Sequence, residues 1–332
     1  MERDEKKYRQ VIADALNSTL TSAELPLPGK KRGKVRDSWH LGDRMLFITT
    51  DRQSAFDRVL ASVPFKGQVL NLVSAWWFER TAHIIGNHMV SVPDPQALEA
   101  VACTPFPIEF VIRGYLTGST DTSLWTRYSS GERSYCGIAF PDGMTKHQAL
   151  EKPVITPTTK EEHDRPISPD EIISEGWMTR EDWEHASAKA LELFSFGVET
   201  ARKNGLILVD TKYEMGKDRD GNILLIDEIH TPDSSRYWLA DSYEQRIAEG
   251  KDPENIDKEF LRLWFRDHCD PYHDEVLPEA PADLITELSY RYILLYEMIT
   301  GESFEFLGSD TSPAERLEEN LKPLIDAYKE NK

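Results

Sequence analysis

The sequence predicts an α+β fold with two lobes, mostly antiparallel sheets, and helices towards the C-terminus. The chain has 332 residues, which exceeds the size at which a single hydrophobic core usually stops growing, so we expect two lobes. Strand patterns come first and mixed strands and helices follow, which is typical of an α+β architecture. Short turn signals at residues 41–43 and at Asp220-Gly221 join neighbouring strands as hairpins, and hairpins pair antiparallel.

The elements of the first part follow from apolar periodicity and from chain breakers. Residues 5–21 suit a short amphipathic helix, and prolines and a glycine then interrupt the pattern. Two strands are expected over residues 34–39 and 45–50, because a short Leu-Gly-Asp turn separates them. Residues 67–81 predict a helix with its apolar residues near one stripe. A proline-rich segment then leads to a strand over residues 108–112.

Two predictions concern the middle of the chain. Ser119 or Thr120 is a suitable cap for a helix that runs to Tyr128. Residues 140–169 contain five prolines and predict mostly loop. Loops of that length are usually functional or disordered, so this segment could serve as a lid.

The later helices are predicted from their caps and apolar spacing. Thr179 is a suitable N-cap with an acidic residue three positions later, and Gly205 stands at the opposite end. We therefore expect a helix over residues 179–204. Residues 257–268 and 281–300 predict two further helices, whose apolar faces indicate packing.

Composition excludes several classes of protein. The net charge of −19 argues against general binding to nucleic acid or to anionic membranes. No apolar run approaches the about 20 residues that a membrane helix needs, and the first ten residues lack the apolar core of a signal peptide. Three dispersed cysteines without a CxxC pair favour reduced thiols. We therefore expect a cytoplasmic protein.

The segment 206–236 predicts a hairpin that carries two facing carboxylates. Alternation places Asp210, Lys212 and Glu214 on one face of its first strand. If Asp220-Gly221 is a two-residue turn, Glu214 faces Asp227 across the hairpin. Like charges in that position are destabilising unless a cation lies between them, and carboxylate oxygens suit Mg²⁺. The alternative is the solvated face of an edge strand.

Two further segments suit phosphate binding. Residues 29–37 gather five basic residues around two glycines in a strongly acidic chain, although the spacing is not that of a Walker A loop. The alternative is a solvated basic turn. Strand 108–112 leads to Arg113 and then to Gly118-Ser119, where a guanidinium and a hydroxyl could bind phosphate together. A structural arginine paired with an acid is the rival interpretation.

In this order, six segments closely resemble the family of phosphoribosylaminoimidazole-succinocarboxamide synthases, or SAICAR synthetases. They are GKVRD, TDRQSAFD, PIEFVIRGYLTGS, PTTKEEHDRPIS, LILVDTKYEMG and LLIDEIHTPDSSRYW. The C-terminal part looks like the long form of the family, found as a separate chain. The family fold resembles an ATP-grasp or kinase-like pair of lobes with the nucleotide in the cleft. On that basis residues 1–105 form an N-terminal lobe with the basic loop, and residues 106–332 form a larger lobe with the substrate and Mg²⁺ site.

The resemblance implies an ATP-dependent ligase of de novo purine biosynthesis. The family joins L-aspartate to the carboxylate of carboxyaminoimidazole ribotide (CAIR) and releases SAICAR, ADP and phosphate. A carboxylate does not react with an amine without activation, so an acyl phosphate of CAIR is the implied intermediate. The implied partners are ATP, CAIR and L-aspartate with Mg²⁺, and the oligomeric state is left open.

The resemblance also implies a role for each matching residue. Lys212 and Asp210 are implied as catalytic groups, and Glu214 and Asp227 as ligands of Mg²⁺. The implied substrate contacts are Arg113, Ser119, Arg236, Asp233, Ser54 and Asp57. The implied nucleotide contacts are Gly33, Lys34, Lys160, Asp164 and Glu228.

Two rival functions are compatible with a nucleotide-binding fold. A small-molecule kinase would use the same carboxylates and stop after phosphoryl transfer, but the chain has no HRD-type or DFG-type motif. A regulatory protein with a dead site would have damaged motif carboxylates or lysines, and these are intact. Both rivals are therefore less favoured than the ligase.

Overall fold

The computed structural model describes residues 4–56, 58–161, 164–256, 259–307 and 311–330. Its strands are β1 Lys31–Arg32, β2 Arg36–Leu41, β3 Arg44–Thr49, β4 Arg52–Ala55, β5 Arg58–Ser62, β6 Met89–Asp94, β7 Ala97–Val101, β8 Thr104–Pro105, β9 Ile108–Tyr115, β10 Ser134–Tyr135, β11 Ile138–Ala139, β12 Ala149–Ile155, β13 Thr158–Thr159, β14 Leu206–Lys217, β15 Ile223–Ile226 and β16 Ser235–Leu239. Its helices are α1 Glu5–Asp14, α2 Lys66–Thr81, α3 Leu124–Ser129, α4 Pro169–Ser174, α5 Arg180–Lys203, α6 Ala240–Ala248, α7 Glu259–His268, α8 Ala282–Thr300 and α9 Pro313–Glu330. Within the described residues, none of these helices is both long and apolar enough to cross a membrane.

The chain divides into two compact units. The first comprises the described residues within 1–76, 88–102 and 256–332, and the second comprises those within 77–87 and 103–255. The sequence-based division at residue 105 placed the C-terminal helices with the larger lobe, whereas the structure groups them with the first unit.

The first unit is built on an antiparallel sheet in the order β1-β2-β3-β7-β6. Apolar residues of that sheet, among them Trp39, Leu46 and Ile48, form one core cluster with Leu317 and Leu321 of α9. The C-terminal helix therefore completes the core of this unit, which explains why the two ends of the chain group together.

The second unit is built around β14, a strand of twelve residues. Its main sheet has the order β12-β9-β14-β15; in addition, β8 and β16 pair with β14, and β13 pairs with β9. The helix α5 packs against one face, where the rings of Phe110 and Trp183 stack with centroids 5.4 Å apart. Every strand register in both units is antiparallel within the described residues, which confirms the predicted fold class.

Several element predictions are confirmed, and the predicted start of one helix is wrong. The predicted helix over 179–204 is α5, and the Thr179 hydroxyl accepts from the Asp182 amide at 3.1 Å as an N-cap does. The helix expected from Ser119 or Thr120 instead begins at Leu124, with Ser123 as its N-cap residue. The reason is a tight turn, closed by the Ser123 amide donating to the Thr120 carbonyl at 2.9 Å, which occupies the residues before it.

The segment 140–169 is mostly loop, as predicted, but it also contains β12 and β13. Its prolines suggested a loop, yet β12 contains Pro153 and lies at the edge of the main sheet. Its register with β9 shifts between Ala149 and Val154. Edge strands and bulges tolerate proline because no ladder hydrogen bond is lost there.

Candidate active site

One face of β14 carries the polar residues of the candidate site. Its partly exposed residues include Asp210, Lys212 and Glu214, and the alternating residues Thr211, Tyr213 and Met215 are buried. The predicted alternation of this strand is therefore confirmed. Asp210 pairs with a residue of β9 on one edge and with a residue of β16 on the other. The polar face thus extends over three neighbouring strands.

Lys212 lies at the middle of a group of carboxylates. Its Nζ is 2.5 Å from Glu214 Oε1, 3.4 Å from Asp227 Oδ2 and 3.5 Å from Glu109 Oε1. Lys160 forms a second ion pair with Glu214. We call Glu109, Lys212, Glu214 and Asp227 the carboxylate centre. Three carboxylates at this distance make the position strongly attractive to cations.

The pKa values of two members of the carboxylate centre, Lys212 and Glu109, are both raised, for different reasons. Burial disfavours the charged ammonium of Lys212, but the charges of Asp227, Glu214 and others outweigh burial and raise the pKa of Lys212 well above its ordinary value. Burial also raises the pKa of Glu109, an effect that Lys212 opposes and that Glu214 and Asp164 add to. Lys212 therefore remains a cation at neutral pH and acts through its charge, since it has no lone pair to accept a proton.

The predicted pairing of Glu214 with Asp227 is wrong, although the two carboxylates do converge. Glu214 pairs with Ile226, one residue earlier than expected. The turn is longer than the predicted two residues, because Lys217 pairs with Ile223 and the residues between them form the turn.

Asp227 reaches the carboxylate centre from outside the strand. It follows the last residue of β15 and has φ 69°, in the left-handed region where aspartate is more tolerated than most residues. That conformation turns the chain at the strand end, and the Asp227 carboxylate accepts from Lys212 Nζ. Convergence therefore depends on this turn and not on cross-strand register.

The loop that follows Asp227 is held by its own polar side chains. The Thr231 hydroxyl donates to Glu228 Oε2 at 2.6 Å, and the amides of Asp233 and Ser234 donate to the Thr231 hydroxyl at 3.2 and 3.1 Å. The Lys212 amide donates to the Ser234 carbonyl at 3.0 Å. Glu228 and Asp233 are thus fixed beside β14, as parts of one network.

His230 anchors the same loop on the buried face of the sheet. It is fully buried, has φ 51°, and its Nε2 hydrogen bonds with the Tyr213 hydroxyl. Burial lowers the pKa of His230 to about 3, so the ring is neutral. A Cβ placed on Gly197 of α5 would lie 2.3 Å from His230 Cε1, so the ring occupies space that only a glycine leaves open.

A second centre lies further along the same polar face. Asp210 stands in one sheet row between Arg113 of β9 and Arg236 of β16. Arg236 donates to Asp210 Oδ2 at 2.7 Å, and Arg113 donates to the Thr156 hydroxyl at 2.7 Å. We call these three charged residues, Arg113, Asp210 and Arg236, the arginine centre. Two guanidiniums beside one carboxylate leave capacity for an anion, and arginine forms bidentate contacts to phosphate.

Three further predicted residues of the second unit, Ser119, Lys160 and Asp164, are exposed. Ser119 is exposed in the turn before α3, and it does not lie at the helix N-terminus as predicted. Asp164 is exposed, and its charge contributes to the raised pKa of Glu109, so it lies near the carboxylate centre. Lys160 is in contact with that centre through Glu214.

In the first unit, Gly33 and Lys34 lie in the loop between β1 and β2. The Gly33 amide donates to the Arg36 carbonyl at 2.7 Å, and a Cβ on Gly33 would lie 2.9 Å from that oxygen. The buried Arg52 donates to the carbonyls of Gly33 and Lys34, each at 3.0 Å. Arg52 therefore fixes the path of this loop from its buried side.

Ser54 is half-buried in β4, where it pairs with Val59 of β5. Asp57, which the sequence also assigned to substrate binding, lies outside the described residues.

The donor set of the carboxylate centre suits Mg²⁺. Glu214 and Asp227 present hard oxygen atoms that already converge on one cation, the ammonium of Lys212. Within the described ranges, no group of three or more His, Cys, Asp or Glu side chains is arranged to hold a metal ion by itself. Mg²⁺ commonly binds through one or two carboxylates together with waters and substrate phosphates.

Sequence reasoning missed two residues that shape the site. Glu109 contacts Lys212, and the signal for it was available, because Glu109 and Arg113 are four apart on one strand and so share a face. Arg52 holds the loop of Gly33 from a buried position, where it also forms an ion pair with Asp37 at 2.9 Å. Nothing local in the sequence distinguishes it from a surface arginine.

Known proteins resemble this chain over most of its length. A model of the SAICAR synthetase family matches residues 30–279. The chain is 62% identical over 304 residues to a phosphoribosylaminoimidazole-succinocarboxamide synthase of Legionella pneumophila (strain Paris), which covers 91% of this chain and 97% of the relative. It is 56% identical over 325 residues to the chloroplastic enzyme of that name from Arabidopsis thaliana, which covers 96% of this chain and 79% of the relative.

Solved structures of the same kind share the fold. A SAICAR-synthase from Saccharomyces cerevisiae complexed with SAICAR superposes with a TM-score of 0.74 at 31% identity, over 86% of this chain and 99% of that one. A SAICAR synthetase in complex with ADP superposes with a TM-score of 0.65 at 25% identity, over 84% of this chain and 100% of that one.

Proposed function

This chain belongs to the SAICAR synthetase family, and we propose that the polar face of β14 is where its reaction takes place. The chain joins L-aspartate to the carboxylate of CAIR in de novo purine biosynthesis, with conversion of ATP to ADP and phosphate. The observation that carries the proposal is the position of Lys212 among three carboxylates, two residues along the strand from Asp210 and its arginines.

We propose that the reaction passes through an acyl phosphate of CAIR. A carboxylate oxygen of CAIR attacks the γ-phosphorus of ATP, and the bond from that phosphorus to ADP breaks. The amine of L-aspartate then attacks the carbonyl carbon, the carbon–oxygen bond to phosphate breaks, and the amine loses a proton. Phosphate leaves with the oxygen that came from CAIR. The protein's part in such a reaction is positioning and charge neutralisation.

Lys212 neutralises charge in this proposal. Its pKa is held well above the ordinary value, so its ammonium can face the anionic oxygens of the transferring phosphoryl group or of the CAIR carboxylate. Glu214 and Asp227 would hold Mg²⁺, and their convergence on one cation supports that assignment. When bound, Mg²⁺ would neutralise phosphate charge and polarise the phosphoryl oxygens.

The arginine centre would bind the phosphate of CAIR. Arg113 and Arg236 supply the positive charge; Asp210 orients Arg236, and the Thr156 hydroxyl orients Arg113. Ser119, exposed in the turn that follows β9, would add a hydroxyl to the same phosphate. Asp233 would orient substrate groups from the loop fixed by Thr231.

The nucleotide contacts are carried over from the family resemblance. They would be Gly33, Lys34, Lys160, Asp164 and Glu228, and Ser54 and Asp57 would lie near the substrates. The fixed path of the Gly33 loop supports its part, since a preformed loop can present amides and a lysine to phosphates. A cytoplasmic setting is also proposed, supported by three free cysteines.

Oxygen transfer tests the acyl phosphate. CAIR labelled with ¹⁸O in its carboxylate should deliver one labelled oxygen to inorganic phosphate in each turnover, detected by mass spectrometry of the phosphate. Unlabelled CAIR in ¹⁸O water is the control and should give unlabelled phosphate. Label retained wholly in SAICAR and water would overturn the acyl phosphate and leave the ligase activity standing.

A further inference from the structure

A chain of hydrogen bonds runs from the surface of the second unit to a buried threonine beside the substrate turn. The Asp252 carboxylate, whose side chain is 67% exposed, lies 2.8 Å from His147 Nε2. His147 Nδ1 lies 2.8 Å from the hydroxyl of Thr117, which is buried. We call Asp252, His147 and Thr117 the relay. It ends two residues before Ser119, and none of its three members has a role in the reaction proposed above.

The backbone holds His147 in a demanding conformation. Its φ of 66° is in the left-handed region, which costs a β-carbon residue free energy unless the surroundings impose it. The His147 amide donates to the Leu116 carbonyl at 2.7 Å, and the Leu116 amide donates to the Gln148 carbonyl at 2.8 Å. The Tyr243 hydroxyl donates to the His147 carbonyl at 2.7 Å. The imidazole is therefore fixed at the end of β9.

The turn that the relay supports has little freedom of its own. Gly118 has φ 107°, and a Cβ there would lie 2.4 Å from Ser123 Cβ. The Trp125 amide donates to the Thr117 carbonyl at 3.2 Å, which ties the turn to the first residues of α3. The Thr117 side chain adds a further constraint on the turn, because its hydroxyl hydrogen bonds with His147 Nδ1.

The groups around His147 determine where its proton lies. Burial lowers the pKa of His147 below its ordinary value of 6.5, against the effect of the Asp252 hydrogen bond. Lys146, which also bonds Asp252, and Arg236 of the arginine centre both oppose a positive charge on the ring. The Trp238 ring meets the imidazole edge to face, with centroids 5.3 Å apart. The neutral ring then donates from Nε2 to Asp252 and accepts at Nδ1 from the Thr117 hydroxyl.

We infer that His147 is a positioning residue for substrate binding, which holds the turn Thr117-Gly118-Ser119 beside Arg236 so that hydroxyl and guanidinium meet the same phosphate. This inference rests on the proposed function, in which Ser119 and Arg236 bind the phosphate of CAIR. His147 touches no reacting atom. Its effect should therefore appear in the binding of CAIR and not in the chemical step.

Steady-state kinetics of two conservative variants test the inference. Thr117→Val removes the hydroxyl and keeps the shape, and His147→Asn tolerates the left-handed conformation but is too short to bridge Thr117 and Asp252. Each should raise the KM for CAIR about tenfold, equivalent to about 1.4 kcal/mol. kcat and the KM values for ATP and L-aspartate should stay within about twofold, a difference of about 0.4 kcal/mol.

Thr81→Val is the matched control. Thr81 is also buried, and its hydroxyl also makes a single described hydrogen bond, to the Trp77 carbonyl at 2.7 Å. This variant should lose similar stability and leave the KM for CAIR unchanged. Asp252→Asn, at the exposed end of the relay, should raise that KM even if the buried variants fold poorly.

The pH profile separates positioning from a general loss of stability. As pH falls through the lowered pKa of His147, Nδ1 becomes a donor and the Thr117 hydroxyl loses its acceptor. The KM for CAIR should therefore rise more steeply towards acid pH in the native chain than in His147→Asn.

Arg113→Gln distinguishes the two ways in which the inference can fail. If Arg113→Gln raises the KM for CAIR but neither relay variant does, the positioning role is overturned and the phosphate site stands. If Arg113→Gln also leaves that KM unchanged, the phosphate site is wrong and the inference falls with it.

Discussion

The two ends of the polar face of β14 hold charge in opposite ways. At the carboxylate centre, Glu109, Glu214 and Asp227 surround the ammonium of Lys212. At the arginine centre, two guanidiniums flank the carboxylate of Asp210. Residues two apart on a strand are separated by about 6.7 Å, so one strand presents a cluster of carboxylates directly beside a pair of guanidiniums, which we propose as the sites for a cation and for an anion. A ligase that binds a metal–nucleotide complex and a phosphorylated substrate needs both.

The two centres also differ in how the fold builds them. The arginine centre comes from three paired strands, β9, β14 and β16, and its members share one row of the sheet. The carboxylate centre takes Asp227 from beyond a strand end, with φ 69°. Sheet register therefore fixes the first centre, whereas the second depends on the loop that begins at Asp227 and on what supports it.

Removing the ammonium from the carboxylate centre should have the largest effect. Lys212→Met keeps the length of the side chain and leaves three carboxylates without their central cation. We expect kcat to fall by about 10²–10³-fold, the usual loss when one group that stabilises transition-state charge is removed. Steady-state assays of SAICAR formation measure this directly.

Lys217→Met provides the control for that substitution. Lys217 lies on the same strand and pairs with Asp182 at 2.7 Å, away from the carboxylate centre. Its kcat should stay near that of the native chain. Equal losses in both variants would mean that a lysine on β14 matters for folding, and the role given to Lys212 would be wrong.

Neutralising the arginine centre should have a smaller effect and a different kinetic signature. Asp210→Asn removes the charged acceptor that Arg236 bonds at 2.7 Å, so that guanidinium loses the group that orients it. Hydrogen bonds to charged groups contribute about 1.5–3 kcal/mol, so we expect the KM for CAIR to rise at least tenfold, the factor that corresponds to about 1.4 kcal/mol. The concentration of Mg²⁺ for half-maximal rate should not change.

Asp182→Asn is a matched control, because Asp182 has a similar side-chain exposure to Asp210, 15% against 14%, and also pairs with a cation. It should leave the KM for CAIR unchanged. If Asp210→Asn changed the Mg²⁺ requirement but not the KM for CAIR, the separate roles proposed for the two centres would be wrong.

The same difference in construction explains what the sequence could predict. Strand alternation is local, so the shared face of Asp210, Lys212 and Glu214 followed from their spacing, and the structure confirms it. The register of the hairpin was one residue off, because the turn was taken as Asp220-Gly221 alone. Asp218 closes a wider turn by accepting from the amides of Asp220 and Asn222 at 2.9 and 2.8 Å.

Non-local contacts account for the other errors. The place of Asp227 depends on a backbone conformation that no periodicity encodes, and Glu109 joins the site only because β9 pairs with β14. The grouping of α9 with the first sheet likewise depends on packing between chain ends. Helices with clear caps, such as α5, were predicted nearly to the residue because their signals lie within a few positions.

The loop that begins at Asp227 allows the smallest expected effect to be tested. A substitution on the buried side of the sheet should disturb the carboxylate centre and leave the arginine centre unchanged. Gly197→Ala places a methyl group 2.3 Å from His230 Cε1 and 2.8 Å from Leu208 Cδ2. Overpacking of this kind costs about 1–3 kcal/mol of unfolding free energy. Displacing His230 should move the loop that follows Asp227, so the Mg²⁺ concentration for half-maximal rate should rise while the KM for CAIR stays constant.

Ala186→Gly is the control. It lies about three turns earlier in α5, loses about 1 kcal/mol through helix propensity, and should change neither the Mg²⁺ requirement nor the KM for CAIR. If both variants shift the Mg²⁺ requirement equally, general destabilisation explains it; a shift in Gly197→Ala alone supports the view that the carboxylate centre is built on its loop.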